Sequence, residues 1–117
     1  MFARKVAARL KPNSLTKFAK VMERDILPWL RTQEGFQDLI TLVTPGGKEV
    51  ATITFWDHPR NAHACSSSGY PEVLQILQEL LDGPPYVKTF DVVSSTFHSV
   101  AMPPADETDG RGTWLSL

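Results

Sequence analysis

The chain holds a single cysteine, Cys65, among its 117 residues. That excludes an internal disulfide and any metal site built from several thiolates, and a reducing, cytoplasmic setting fits best. An excess of charge is also missing. Lys plus Arg total 12, Asp plus Glu total 13, and the net charge is -1, so there is no electrostatic footprint for nucleic acid or an anionic membrane. No apolar run is long enough to cross a bilayer. The opening Met1 to Arg9 is basic, but charges interrupt its apolar residues and it does not read as a signal-peptide core. There is no phosphate loop, dinucleotide glycine fingerprint, nucleophile elbow or EF-hand loop. Pro45-Gly46-Gly47 is a turn, since no helix follows it. Of the three histidines, His58 and His63 stand five residues apart rather than four, which does not put both on one helical face. No metal is expected.

What is present fits one small α+β domain over residues 1–100, followed by a tail over 101–117. A domain of this size buries only about two-thirds of its unfolded surface, so pairing with a second copy would help it. Phe2 to Leu10 reads as a first strand, with Val6, Ala8 and Leu10 alternating against Ala7 and Arg9. Asn13 or Ser14 is placed to cap a helix. Leu15, Phe18, Met22, Ile26 and Trp29 then form a stripe at helical spacing. Pro28 should kink the last turn, and Gly35 is a natural stop.

Phe36 to Thr44 reads as a second strand, Pro45-Gly46-Gly47-Lys48 as a hairpin turn, and Glu49 to Trp56 as a third strand rich in β-branched and aromatic residues. A short helix is expected between Asp57 and Ser68, opened by Asp57 or Pro59, with His58 at its start. A longer one follows from Tyr70-Pro71, carrying Val73, Leu77 and Leu80, and stops at Gly83-Pro84-Pro85. Tyr86 to Val100 reads as one long extended run that passes its own sheet and meets a second subunit. The tail is polar and interrupted by Pro103-Pro104 and Gly110 to Gly112, and the fold should not depend on it.

Strand, helix, strand, strand, helix, strand is the ferredoxin-like split βαβ order, a four-stranded antiparallel sheet with its helices on one face. Both faces of the third strand carry apolar side chains. The uncovered face therefore calls for a partner sheet, and a homodimer forming an α+β barrel is expected.

Arg9-Leu10-Lys11-Pro12, Ile26-Leu27-Pro28, Glu34-Gly35-Phe36, Phe55-Trp56-Asp57 and Tyr70-Pro71-Glu72-Val73-Leu74 occur in this order along residues 2–98. In this the chain resembles the antibiotic biosynthesis monooxygenase-like proteins, which are dimeric α+β barrels. They include quinone-forming monooxygenases that use neither metal nor flavin, and haem-degrading enzymes. The resemblance implies a small planar aromatic substrate and no cofactor, with haem as the alternative. Trp56 matches a tryptophan that the cofactor-free enzymes keep at the end of the third strand. Their asparagine four residues earlier is Thr52 here, and their tyrosine six residues later is Ala62. Haem-degrading members use an asparagine on the first strand and a Trp and His from the helical region. Here the first strand has no asparagine, and the region after Trp56 has His58 and His63 without a second tryptophan.

Five side chains are candidates for a site. His63 is the candidate catalytic base, since imidazole suits proton transfer, although a surface histidine is the commoner role. Trp56 either stacks on a planar ring or plugs the barrel end, with equal weight. Trp29, Tyr70 and Thr52 are candidate pocket walls. Cys65 reads as a buried hydrophobe. Arg4, Lys5 and Arg9 on the first strand either line a pocket for an acidic ligand or sit on a solvent face. A non-enzymatic binding or assembly domain, its pocket filled by side chains, is the remaining alternative.

Overall fold

Alternation along the first and third strands fixes one apolar face, and the helices pack onto it. A computed structural model describes residues 1–69, 71–98 and 100; Tyr70, Ser99 and the tail 101–117 lie outside the described residues. The elements are β1 (Phe2–Arg9), α1 (Leu15–Val21), a π-helical stretch (Met22–Ile26), α2 (Leu27–Leu30), β2 (Phe36–Val43), β3 (Glu49–Trp56), α3 (Pro59–Ser68), α4 (Pro71–Leu80) and β4 (Tyr86–Asp91). The strands form one antiparallel sheet in the order β2-β3-β1-β4. This is the expected ferredoxin-like arrangement, in which each crossover returns beside a non-neighbouring strand.

β1 and β3 pair without slip from Phe2↔Trp56 to Arg9↔Glu49. The even-numbered residues of both strands therefore share one face. Phe2, Leu10, Val50 and Trp56 from that face join Phe18, Val21, Met22, Ile26, Leu30, Ala62, Cys65, Val73 and Leu80 in a single core. The odd-numbered face carries Ala3, Ala7, Ala51, Ile53 and Phe55, with Ile40 and Leu42 on β2 and Tyr86 and Phe90 on β4. Among the described residues no helix covers it, and Tyr86 is 66% exposed.

The structure departs from the sequence expectations in four places. β2 has an irregular register between Phe36 and Asp38. An extra residue there lets Phe36 and Leu39, three apart, both face the core, which a regular strand forbids. Pro28 does not simply kink the helix. The five residues Met22–Ile26 widen into a π-turn, in which the Leu27 N–H bonds back to the Met22 carbonyl. A proline ring crowds the carbonyl four residues earlier and brings no N–H of its own, and a wider turn relieves both. Neither Asn13 nor Ser14 caps α1 with its side chain. Asn13 takes φ 60, and Ser14 is already helical at φ -103, ψ -8, so its hydroxyl donates back to the Pro12 carbonyl at 3.5 Å. Finally, the run from Tyr86 is a strand only to Asp91. Beyond it the Ser95 hydroxyl oxygen accepts from the N–H groups of Phe97 and His98 at 3.0 and 3.2 Å, a local turn that competes with strand pairing. This brings His98 Nε2 within 3.7 Å of Asp38 on β2, the opposite edge strand.

The start of β2 meets the β3–α3 corner at Gly35. Its φ is +79, and a Cβ there would run into the Asp57 carboxylate and the Asn61 amide, which hydrogen-bond each other at 2.8 Å. Gly35→Ala therefore combines backbone strain with a collision. We expect a loss of about 1–3 kcal/mol, read as a melting midpoint lower by roughly 5–20 °C. Gly46→Ala is the control: φ is +100 but nothing lies within 4 Å of the added methyl. Equal losses in the two variants would mean that backbone strain alone matters and the corner does not.

Candidate functional site

Between the even-numbered face of the sheet and the helices lies a cavity of about 270 Å³. Its floor is Val6, Ala8, Val50, Thr52, Thr54 and Trp56, with Leu39 from β2. One wall is Phe18, Met22, Ile26, Trp29 and Leu30, on the helical run that the π-turn divides. The other is Ala62, Cys65 and Ser66 of α3 with Leu74, Leu77 and Gln78 of α4. Apolar side chains dominate. The polar groups are few, as in most small-molecule sites: Thr52, Thr54, Ser66, Gln78, the Cys65 thiol and Arg4.

Trp56 is 2% exposed. Its indole N–H donates to Thr54 Oγ1 at 2.9 Å, and the same hydroxyl donates to the Arg4 carbonyl at 3.4 Å. Phe36 meets the indole edge-on, with ring centroids 5.6 Å apart. A buried indole N–H left without an acceptor would cost about 1–3 kcal/mol. Thr54, two residues back on the same strand face, prevents that and fixes the ring plane.

Trp56, Trp29 and Thr52 line this one cavity together. His63 does not join them. It is exposed on α3, edge-on to Phe2 with ring centroids 5.9 Å apart. Tyr70 lies outside the described residues. Ala62, where the resemblance has a tyrosine, is fully buried in the cavity wall. His58 starts α3 and its Nδ1 accepts the Arg60 N–H at 3.1 Å. Thr54 was the residue hardest to foresee. Its one signal in the sequence is its place two residues before Trp56, which puts both side chains on one face.

Burial pushes the Cys65 thiol up, and the positive charge of Arg4 pulls it part of the way back. The single cysteine and the cavity arginine therefore sense each other. Among the described residues no histidine lines the cavity. Among the described residues no cluster of three metal-ligating side chains occurs, and no helix is long and apolar enough to cross a membrane.

No family model and no curated protein matches the chain. Solved structures do. A protein of unknown function from Nitrosomonas europaea superposes with a TM-score of 0.70 at 16% identity, covering 85% of this chain and 95% of that one. A protein from the same organism named as an antibiotic biosynthesis monooxygenase gives 0.70 at 12% identity, covering 80% and 100%. A monooxygenase of Streptomyces coelicolor, solved with the ligand nanaomycin D, gives 0.66 at 21% identity, covering 84% and 92%. A split βαβ sheet with helices on one face thus defines the class, and within it the chain has the fold of the antibiotic biosynthesis monooxygenases, as its motifs implied.

The thiol supplies a test. Alkylation of Cys65 by iodoacetamide should take hold at a higher pH than for an unburied thiol, and Arg4→Gln should move the profile higher still, because a charge that favours the thiolate is gone. A profile shifted lower in Arg4→Gln would contradict the placement of that charge. Because the folded thiol keeps its proton to higher pH than the unfolded one, its contribution to stability is present below the unfolded thiol range and is lost as pH rises from there through the raised folded value.

Proposed function

We propose that the cavity binds a small planar aromatic molecule and oxygenates it without metal or flavin. The observation that carries this reading is the convergence of Trp56, Trp29 and Thr52 on one apolar cavity. Its likeness in fold to the monooxygenases above supports the same reading. At about 270 Å³ the cavity stands at the lower edge of ligand pockets, roughly 300–1,000 Å³, so a compact ring system suits it better than a macrocycle.

In such a reaction the substrate supplies the electrons. An ionised phenol or anthrone passes an electron pair to O₂ and forms a carbon–oxygen bond. The second oxygen atom leaves as water, and the carbon ends as a quinone carbonyl. The protein orients the ring, excludes water and favours the ionised form. Trp56, held by Thr54 and Phe36, offers the ring a fixed wall, and Thr52, paired with Val6 across β1 and β3, adds a polar side chain to the floor. His63 is the base expected from sequence, and no described histidine lines the cavity.

Oxygen consumption with a panel of hydroquinones and anthrones tests this. The wild type should exceed the buffer rate on at least one of them. His63→Ala should leave that rate unchanged within about twofold, whereas loss of a general base typically costs 10²–10⁴-fold. No uptake above buffer on any substrate would replace the enzyme reading with that of a binding domain.

We further propose that the chain is a homodimer whose uncovered sheet faces meet. Ile40, Ile53, Phe55, Tyr86 and Phe90 would be shielded from water in that arrangement. Light scattering at micromolar concentration should give about twice the 13.0 kDa chain mass. A single-chain mass would overturn the pairing.

A further inference from the structure

A cavity with so apolar a lining has one feature that its shape does not explain: a permanent positive charge. Arg4 sits on the even-numbered face of β1, only partly exposed, between Thr54 of β3 and Thr89 of β4 in register. It lines the cavity, and its charge reaches the Cys65 thiol on the opposite wall. Among the described residues the acid–base pair in contact is His98 with Asp38, and no described carboxylate lies within ion-pair distance of Arg4. A guanidinium cannot shed its proton to escape burial, and a charge drawn toward apolar surroundings without a partner is costly. An arginine kept there awaits an anion.

We propose that Arg4 is the anchor for an acidic group on the ligand, so that the cavity selects planar aromatics bearing a carboxylate or an equally acidic oxygen over their neutral counterparts. This rests on the reading of the cavity as a ligand site, and it names the substrate class. The geometry ties the anchor to the ring wall. Arg4 and Thr54 are directly paired across β1 and β3, and the Thr54 hydroxyl joins the Arg4 carbonyl to the Trp56 indole. Arg4 lies diagonally across from Trp56 on the same face of the β1–β3 pair and both line the cavity, so one ligand can meet the ring with one edge and the guanidinium with another. The planar fork of a guanidinium matches a carboxylate with two parallel bonds. Lys5 and Arg9, the other cations of β1, fall on the odd-numbered face and on the exposed end of the strand, so Arg4 alone among them is placed to do this.

The test compares 2-naphthoate with 2-naphthamide, which share ring and shape and differ in charge. Binding is read by tryptophan fluorescence and, independently, by protection of Cys65 from iodoacetamide, since the thiol lines the same cavity. Wild type should bind the carboxylate about 10- to 100-fold more tightly than the amide, the range for hydrogen bonds to a charged group. Arg4→Met should abolish that preference while leaving amide affinity within about twofold. Arg4→Lys should restore part of it, because it keeps the charge and loses the fork. Circular dichroism melting confirms that each variant is folded. Equal binding of both ligands by the wild type, or a preference that survives in Arg4→Met, overturns the anchor and leaves the cavity reading intact. Binding of neither ligand overturns both.

Discussion

The Thr54 hydroxyl holds the site together. It accepts the Trp56 indole N–H and donates to the Arg4 carbonyl, so one small side chain links the largest buried ring to the backbone of Arg4, the one charged residue among the described residues that line the cavity. Both neighbours depend on it. Trp56 is buried almost completely and brings a polar N–H that needs an acceptor. Arg4 needs its backbone held in β1 if its side chain is to be aimed. The strand pairing of β1 with β3 positions all three, and it runs without slip over the full length of β1. The core on one side of that pairing and the bare apolar face on the other both follow from its regular alternation.

The helical wall obeys a different constraint. Phe18, Met22, Ile26, Trp29 and Leu30 reach the same cavity although Pro28 interrupts their helix. The π-turn is what reconciles the two. It absorbs the proline by widening one turn before it, and the stripe resumes on the cavity side in α2. Wide turns of this kind recur at functional sites, and here the turn forms part of the cavity wall itself.

The sequence made the broad architecture legible because its signals are local. β-branched residues over Glu49–Trp56 and the two glycines at Gly46-Gly47 specify a strand and a hairpin with no help from the rest of the chain. The order of elements then restricts the topology to very few choices. What stayed hidden depends on contacts distant in sequence. The irregularity before Asp38 is decided by the need of Phe36 to meet Trp56, twenty residues on. The failure of Ser14 to cap follows from its backbone conformation, which composition does not reveal. That Trp56, Trp29 and Thr52 line one cavity was legible because face and spacing place them. That His63 is exposed on α3 and outside that lining depends on how α3 is rotated against the sheet, which local sequence does not reveal.

The π-turn has a consequence for how this fold tolerates change in length. It is equivalent to one residue more than an α-helix needs over the same span, and an α-helix advances about 100° per residue. Removing one residue between Met22 and Ile26 would let the hydrogen-bond ladder close regularly over the same span, so Phe18 would keep its face relative to Trp29 and Leu30. Removing one from the regular turns on either side would instead rotate the two halves against each other by that angle. The wide turn is thus the place where this helical run can lose a residue and the cavity wall keep its phase.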